Sequence, residues 1–112
     1  MNKYNDKEIS IFRRVISDYD LLKKEIDERI EKGYNLENLH DYIRHLSSCS
    51  ISSYEENEYI DFYYCDMLVS IYNDNNELYL GDTIEIWNDE DMYHIEVFNN
   101  IKEIKEAIKY GE

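Results

Sequence analysis

The sequence has no proline or glutamine, and it has only three glycines and two cysteines in 112 residues. With so few glycines there is no phosphate-binding glycine loop. Cys49 and Cys65 lack Cys-x-x-Cys spacing, so we expect free thiols rather than a disulfide or a zinc site, with Cys65 buried. No apolar run approaches the ~20 residues of a membrane-spanning helix. The first residues lack the apolar part of a signal peptide, so we expect a cytoplasmic protein.

Lysine and arginine are absent from residues 45–101, although 12 of them occur in the rest of the chain. The same segment contains 13 of the 26 acidic residues, so it carries nearly all of the net charge of -14. An AT-rich coding sequence explains the 12 tyrosines but not this gap, because lysine codons are AT-rich too. Nucleic acids and anionic membranes attract lysine and arginine. Direct nucleic-acid binding and membrane binding are therefore disfavoured, and a basic protein partner is favoured.

Hydrophobic periodicity predicts two helices before the acidic segment. Apolar residues recur at steps of three and four over residues 6–32, between a capping box that starts at Asn5 and a C-terminal Gly33. A shorter helix over residues 36–47 follows, with Asn35 as its N-cap. The short connection between the two predicts an antiparallel helical hairpin.

From Tyr59 onward the pattern becomes the alternation of β-strands. The first strand places Tyr63 inside, yet the residues before Tyr64 follow the opposite phase, which indicates a bulge or cover on both faces. Gly81 marks a second bulge within the next strand. Polar turn signals separate the three strands at residues 73–76 and 88–91.

The predicted fold is α+β: an N-terminal helical hairpin, a three-stranded antiparallel β-meander and a C-terminal helix, in the order ααβββα. We expect one domain over residues 1–112, with the helices on one face of the sheet. Its parts are a helical part at 5–47, a Ser-rich connection at 47–53, an acidic β-meander at 59–98 and a C-terminal helix at 100–110.

Catalytic chemistry is not indicated by any motif. His40 and His45 are five residues apart, about 140° around a helix, and so do not share a metal-binding face. The acidic turns at 74–77 and 89–91 can bind Ca²⁺ weakly, but turn formation explains both more simply. The carboxylates occupy turns and outer strand positions rather than an apolar cleft. We therefore expect a protein that is not an enzyme and that has no catalytic residue, metal or cofactor.

Acids and tyrosines are interleaved through the β-segment. Outward residues two apart on a strand lie about 6.6 Å apart and can form a regular anionic row. Tyrosine buries a large area at interfaces, and an arginine can stack on it while pairing with an adjacent acid. We place Tyr63 and Tyr93 in the core and regard Tyr79 and Trp87 as additional surface candidates. The predicted partner-binding residues are Tyr54, Glu55, Glu56, Glu58, Tyr59, Asp74, Glu77, Glu85, Asp89, Glu90 and Asp91.

The acidic runs at 54–59 and 88–93, together with the meander closed by a helix, resemble the small acidic anti-CRISPR proteins of phages and mobile elements. Several of those are single α+β domains that occupy the DNA-binding groove of a Cas nuclease, notably Cas9. The resemblance implies a competitive inhibitor that acts by nucleic-acid mimicry. Its carboxylates pair with the arginines and lysines that hold target DNA.

Other interpretations are consistent with the same residues. An immunity protein that neutralises a nuclease toxin is also small, acidic and cytosolic, and it too opposes a basic cleft. An acidic protein-interaction domain of no catalytic function is a third possibility. The acids of the outer sheet face can also serve solubility alone.

Overall fold

The computed structural model describes residues 4–65, 67–88, 93–95 and 100–110, which form three helices and an antiparallel sheet. The helices are α1 (Asp6–Glu31), α2 (Leu36–Arg44) and α3 (Ile101–Tyr110). The strands are β1 (Cys49–Glu55), β2 (Tyr59–Tyr64), β3 (Met67–Asp74), β4 (Glu77–Leu80), β5 (Glu85–Asn88) and β6 (Tyr93–Ile95). The α+β class is confirmed, but the sheet has more strands than the three predicted.

The helix boundaries follow the predicted capping residues. The Asn5 side chain accepts a hydrogen bond from the Glu8 N–H at 2.8 Å, and the Glu8 carboxylate accepts from the Asn5 N–H at 3.4 Å. Gly33 has a φ of +96°, a backbone conformation that glycine adopts readily and that residues with a Cβ atom disfavour. The Asn100 side chain accepts from the Glu103 N–H at 2.9 Å and starts α3. These local signals therefore fix where α1 and α3 begin and where α1 ends.

The second helix ends three residues earlier than predicted. After Arg44, the N–H groups of His45 and Leu46 donate three residues back, at 3.2 and 3.1 Å. Such bonds tighten the last turn and satisfy carbonyl groups that a longer helix would have used. The chain can then turn into β1.

The Ser-rich segment 47–53 is not a connection, because its greater part belongs to β1, which pairs antiparallel with β2. The predicted first strand is a hairpin rather than one strand. Tyr64 pairs directly with Met67, and Cys65 between them has a φ of +53°. The reversal explains the change of phase, since it places Phe62 and Met67 on the same face.

The strand predicted to contain a bulge at Gly81 is divided there into β4 and β5. Both pair with β3, β4 along residues 71–74 and β5 at residues 67–68. The strand order is β1-β2-β3-β5-β6, with β4 paired to β3 beside this path. Between the two halves, the Gly81 N–H donates to the Ser70 carbonyl at 2.7 Å. Gly81 therefore remains bonded to β3 although the strand is interrupted.

One hydrophobic core lies between the helices and the inner face of the sheet. Its fully buried members from the helices are Phe12, Val15, Ile26, Leu39, Ile43 and Ile104, and those from the sheet region are Ile60, Phe62, Met67, Ile71, Ile84 and Ile86. Two residues that the pattern placed inside are exposed instead: Tyr63, at 38%, and Cys65. Both errors follow from treating the β2–β3 hairpin as one strand. Within the described residues, no helix is long and apolar enough to cross a membrane.

Candidate protein-interaction surface

Three tyrosines form a row across the outer face of the sheet. Tyr59 of β2 pairs directly with Tyr72 of β3, which pairs directly with Tyr79 of β4. Ile60, Ile71 and Leu80, each next to one of these tyrosines in sequence, are buried in the core, so the three rings point away from the helices. Tyr72 and Tyr79 are 41% and 46% exposed, and their ring centroids are 5.6 Å apart. We call these three residues the tyrosine row.

Five predicted acids lie together where two hairpins end. Glu55, Glu56 and Glu58 surround the β1–β2 turn, and Asp74 and Glu77 flank the β3–β4 turn. We call these five residues the acidic end.

Asn73 holds the two turns of the acidic end together. Its side-chain amide donates to the Asn57 carbonyl at 2.8 Å, and its N–H donates to the Glu58 carbonyl at 2.9 Å. Asn57 has a φ of +66°, which asparagine tolerates better than most residues. Two segments that are 16 residues apart in sequence thus present one surface.

The carboxylates of the acidic end are not ion-paired with any described residue, although Glu56 and Arg44 line the same cleft between α2 and β1. Within the described part of the chain, none of the five makes an ion pair or a side-chain hydrogen bond. The ion pairs of the helices offer a contrast, because they bring acids and bases of α1, α2 and α3 together. They join Lys23 to Asp27, Arg29 to Glu25, Arg44 to Asp41 and Lys105 to Asp20.

The acidic end and the tyrosine row are continuous. Glu55 pairs directly with Tyr59, so it extends the row onto β1. Asp74 and Glu77 pair with each other and each lies two residues from a ring of the row, on the same face and about 7 Å along the strand. Exposed aromatic rings are thus bordered by carboxylates on two sides.

The remaining predicted residues lie elsewhere. Tyr54 faces the helices and stacks on His40, with 4.1 Å between ring centroids and 20° between planes. Burial raises the pKa of Tyr54, and the charges of Glu56 and Glu37 raise it further. Glu85 pairs with Leu68, next to the β2–β3 connection and away from the acidic end. Asp89, Glu90 and Asp91 lie outside the described residues, as does the Trp87 side chain.

Sequence reasoning missed two residues of the outer face, Tyr63 and Tyr72. Tyr63 lies in a second cross-strand row with Ser50, Leu68 and Glu85. The phase change near Tyr64 is the signal that could have identified it, since a turn there reverses the inward and outward sets. The outer face is therefore more aromatic and less acidic than the predicted anionic row.

Polar side chains between these two rows form hydrogen bonds with each other or with the tyrosine row. The Ser70 hydroxyl donates to the Asp61 carboxylate at 2.5 Å, and the Ser53 hydroxyl lies 3.2 Å from the Tyr59 hydroxyl. Asp61 is half-buried and hydrogen-bonded, unlike the carboxylates of the acidic end. It therefore supports the sheet rather than offering a charge to a partner.

Other chemistry finds little support in the described residues. No group of three His, Cys, Asp or Glu side chains among them is arranged to hold a metal ion. Burial raises the pKa of the Cys49 thiol, which disfavours the reactive thiolate. A cleft of about 420 Å³ between α2 and β1 is lined mainly by charged and polar side chains, including Glu37, His40 and Arg44.

Comparison with known proteins gave no match: no protein-family model, no curated protein and no solved structure is significantly similar to this chain.

Proposed function

We propose that this protein is an acidic inhibitor that binds the basic nucleic-acid-binding groove of a nuclease and blocks it by nucleic-acid mimicry. The observation that carries the proposal is the acidic end: five carboxylates around two adjoining turns, none of which is ion-paired within the described chain. A groove lined by lysine and arginine supplies the missing opposite charge.

The physical argument is electrostatic. Asp74 and Glu77 are directly opposite each other in an antiparallel pair, an arrangement in which like charges are destabilising. A basic partner converts this repulsion into attraction. The charge also steers the encounter, so association is fast and becomes slower as salt is added. A nuclease whose arginines and lysines are occupied in this way can no longer hold its substrate.

Among nucleases, the resemblance to anti-CRISPR proteins favours a Cas9-type enzyme. The inhibitor competes with target DNA for the same cationic groups, so excess DNA weakens inhibition. A secreted nuclease toxin presents a cleft of similar charge, and a comparison of the two enzymes separates an anti-CRISPR from an immunity protein.

The test separates the effect on binding of where the negative charge lies from the effect of the total net charge. One variant carries Glu55→Lys, Glu56→Lys and Glu58→Lys in the acidic end. A matched variant carries Glu28→Lys, Glu31→Lys and Glu106→Lys on exposed helix positions, with the same change in net charge. Binding to a Cas9-type nuclease and to a nuclease toxin is measured at low and high salt, alongside DNA cleavage and circular dichroism.

We expect the acidic-end variant to lose about 100-fold or more in affinity, because three favourable contacts become repulsive. The helix variant should lose only the long-range part, about threefold, and that loss should vanish at high salt. Equal losses in both variants would show that net charge alone matters. Unchanged binding in the acidic-end variant would exclude this surface as the interface.

A further inference from the structure

We infer that the outer face of the sheet selects arginine over lysine in its partner: guanidinium groups stack on the tyrosine row while they pair with the carboxylates that border it. This inference rests on the proposed function for the basic class of the partner. It adds which cation is recognised, and by which residues.

A role in solubility alone does not explain why tyrosine rings are exposed on the outer face of the sheet. An outer sheet face that serves solubility is expected to carry charged and small polar side chains. Here Tyr72 of β3 and Tyr79 of β4 are exposed at directly opposite positions, and Tyr63 of β2 pairs with Leu68 of β3 elsewhere on the same face. Neighbouring apolar surface of this kind marks contact sites.

The charge of the chain identifies the occupant. A second copy carries the same net charge of -14, so a face bordered by carboxylates repels it. Nucleic acid and anionic lipid are repelled for the same reason. A cationic protein surface is the occupant for which both the rings and the carboxylates are favourable.

Arginine suits this surface better than lysine. The planar guanidinium can lie flat on an aromatic ring and still present N–H groups at its edge to a carboxylate. The ammonium of lysine is compact and strongly hydrated, and it gains mainly from charge. Asp74 and Glu77 lie on the same strands as Tyr72 and Tyr79, and Glu55 pairs directly with Tyr59, so one arginine side chain can reach both a ring and a carboxylate.

The helices already contain this arrangement. The Arg29 guanidinium carbon lies 3.7 Å from the centroid of the Tyr42 ring, and Arg29 Nη1 donates to the Glu25 carboxylate at 2.9 Å. One arginine thus stacks on a tyrosine and pairs with a glutamate within α1 and α2. The outer face also has tyrosines and carboxylates at neighbouring positions, and the strands that carry them include no arginine.

The experiment uses two labelled peptides of equal length, one of arginine and one of lysine, and the full-length protein. Fluorescence anisotropy gives the ratio of the two dissociation constants for the wild type and for the Tyr72→Leu, Tyr79→Leu double variant. Tyr34→Leu is the matched control, since Tyr34 is 36% exposed and lies in the connection between α1 and α2. Tyr72→Phe, Tyr79→Phe keeps the rings and removes the hydroxyls, and circular dichroism checks that each variant is folded.

We expect the wild type to bind the arginine peptide about tenfold more tightly than the lysine peptide. The double leucine variant should bring this ratio to within about twofold, mainly by weakening binding of the arginine peptide, because the stacking is lost. The phenylalanine variant and Tyr34→Leu should keep the preference. If the double leucine variant retains the preference, or weakens both peptides equally, the inference is wrong.

Nuclease inhibition is measured separately so that the two proposals can fail separately. A protein that prefers arginine through these tyrosines but inhibits neither nuclease would support the inference and contradict the proposed function. An inhibitor that binds both peptides equally would support the proposed function and overturn the inference.

Discussion

The helices and the sheet of this protein differ in how their charged residues are distributed. On the helices, acids and bases alternate and form ion pairs, including Lys105–Asp20, which joins α3 to α1. Residues 45–101, which contain the strands of the sheet, have no lysine or arginine. Surface ion pairs contribute little to stability, and a sheet needs no excess of acid to fold. The comparison therefore indicates that folding does not require the acidity of the sheet.

The largest effect should come from Tyr19 of α1, where the two regions meet. Tyr19 is 3% exposed, and its hydroxyl donates to the Gly81 carbonyl between β4 and β5 at 2.9 Å. Tyr19→Phe leaves this buried carbonyl without its donor, so we expect a loss of about 1–2 kcal/mol in the free energy of unfolding at neutral pH. Urea unfolding followed by circular dichroism measures it.

The same residue should make stability depend on high pH. Burial, together with the charges of Asp82, Asp27 and Asp20, raises the pKa of Tyr19 from 10.0 to about 12. A raised pKa means that the folded state favours the neutral phenol. This contribution is complete below pH 10, the ordinary value, and is lost as the pH rises towards 12.

Tyr19→Phe should therefore lose less stability than the wild type over that interval. Tyr34→Phe, at an exposed position, should behave like the wild type. If the wild type and Tyr19→Phe lose the same amount of stability between pH 10 and 12, ionisation of the Tyr19 hydroxyl does not weaken the contact between the helices and the sheet.

Neutralising carboxylates should have a smaller effect on stability, and the sign of that effect should differ between the sheet and the helices. Glu55→Gln, Glu58→Gln and Glu77→Gln remove repulsion within the acidic end, so we expect stability at low salt to rise by roughly 0.5–1 kcal/mol. Glu25→Gln breaks the helix ion pair with Arg29 and should lower stability by a few tenths of a kcal/mol, about the value of an i,i+4 pair. Thermal unfolding at low and high salt provides both values.

Salt is the internal control for this comparison. Because the gain in the triple glutamine variant comes from exposed charges, it should shrink as ionic strength rises. A gain that persists at high salt would point to better packing rather than to relief of repulsion. A loss of stability at low salt would show that these carboxylates have favourable partners and would weaken the contrast between sheet and helices.

Local signals in the sequence were sufficient for most helix ends, although not for the end of α2, and they were not sufficient for the sheet. Asn5, Asn35 and Gly33 define helix ends through bonds to nearby residues, so short-range pattern reveals them. The β2–β3 connection has Cys65 at positive φ, a residue that is not a turn signal, and pairing between strands rather than local preference fixes the reversal there.

The candidate surface was predicted in composition but only partly in position. Glu55, Glu56 and Glu58 are adjacent in sequence, so their grouping was visible. Their approach to Asp74 and Glu77 depends on the register of β2 with β3, which no local pattern contains. The tyrosine row depends on the same register, and for that reason Tyr72 was not singled out.

The smallest effect should come from the turn that carries part of the acidic end. Asn75 and Asn76 have φ of +51° and +69°, as in the two-residue turns that favour an Asn-Gly sequence. Asn76→Gly removes a side chain from a left-handed position and should stabilise the hairpin by no more than about 0.5 kcal/mol, independently of salt. The stability gain of the triple glutamine variant, by contrast, should decrease as salt is added. If Asn76→Gly instead gains as much stability as that variant, and the gain disappears at high salt, the turn conformation and the charges are coupled. Repulsion at the acidic end would then be a cause of strain in the backbone of the turn.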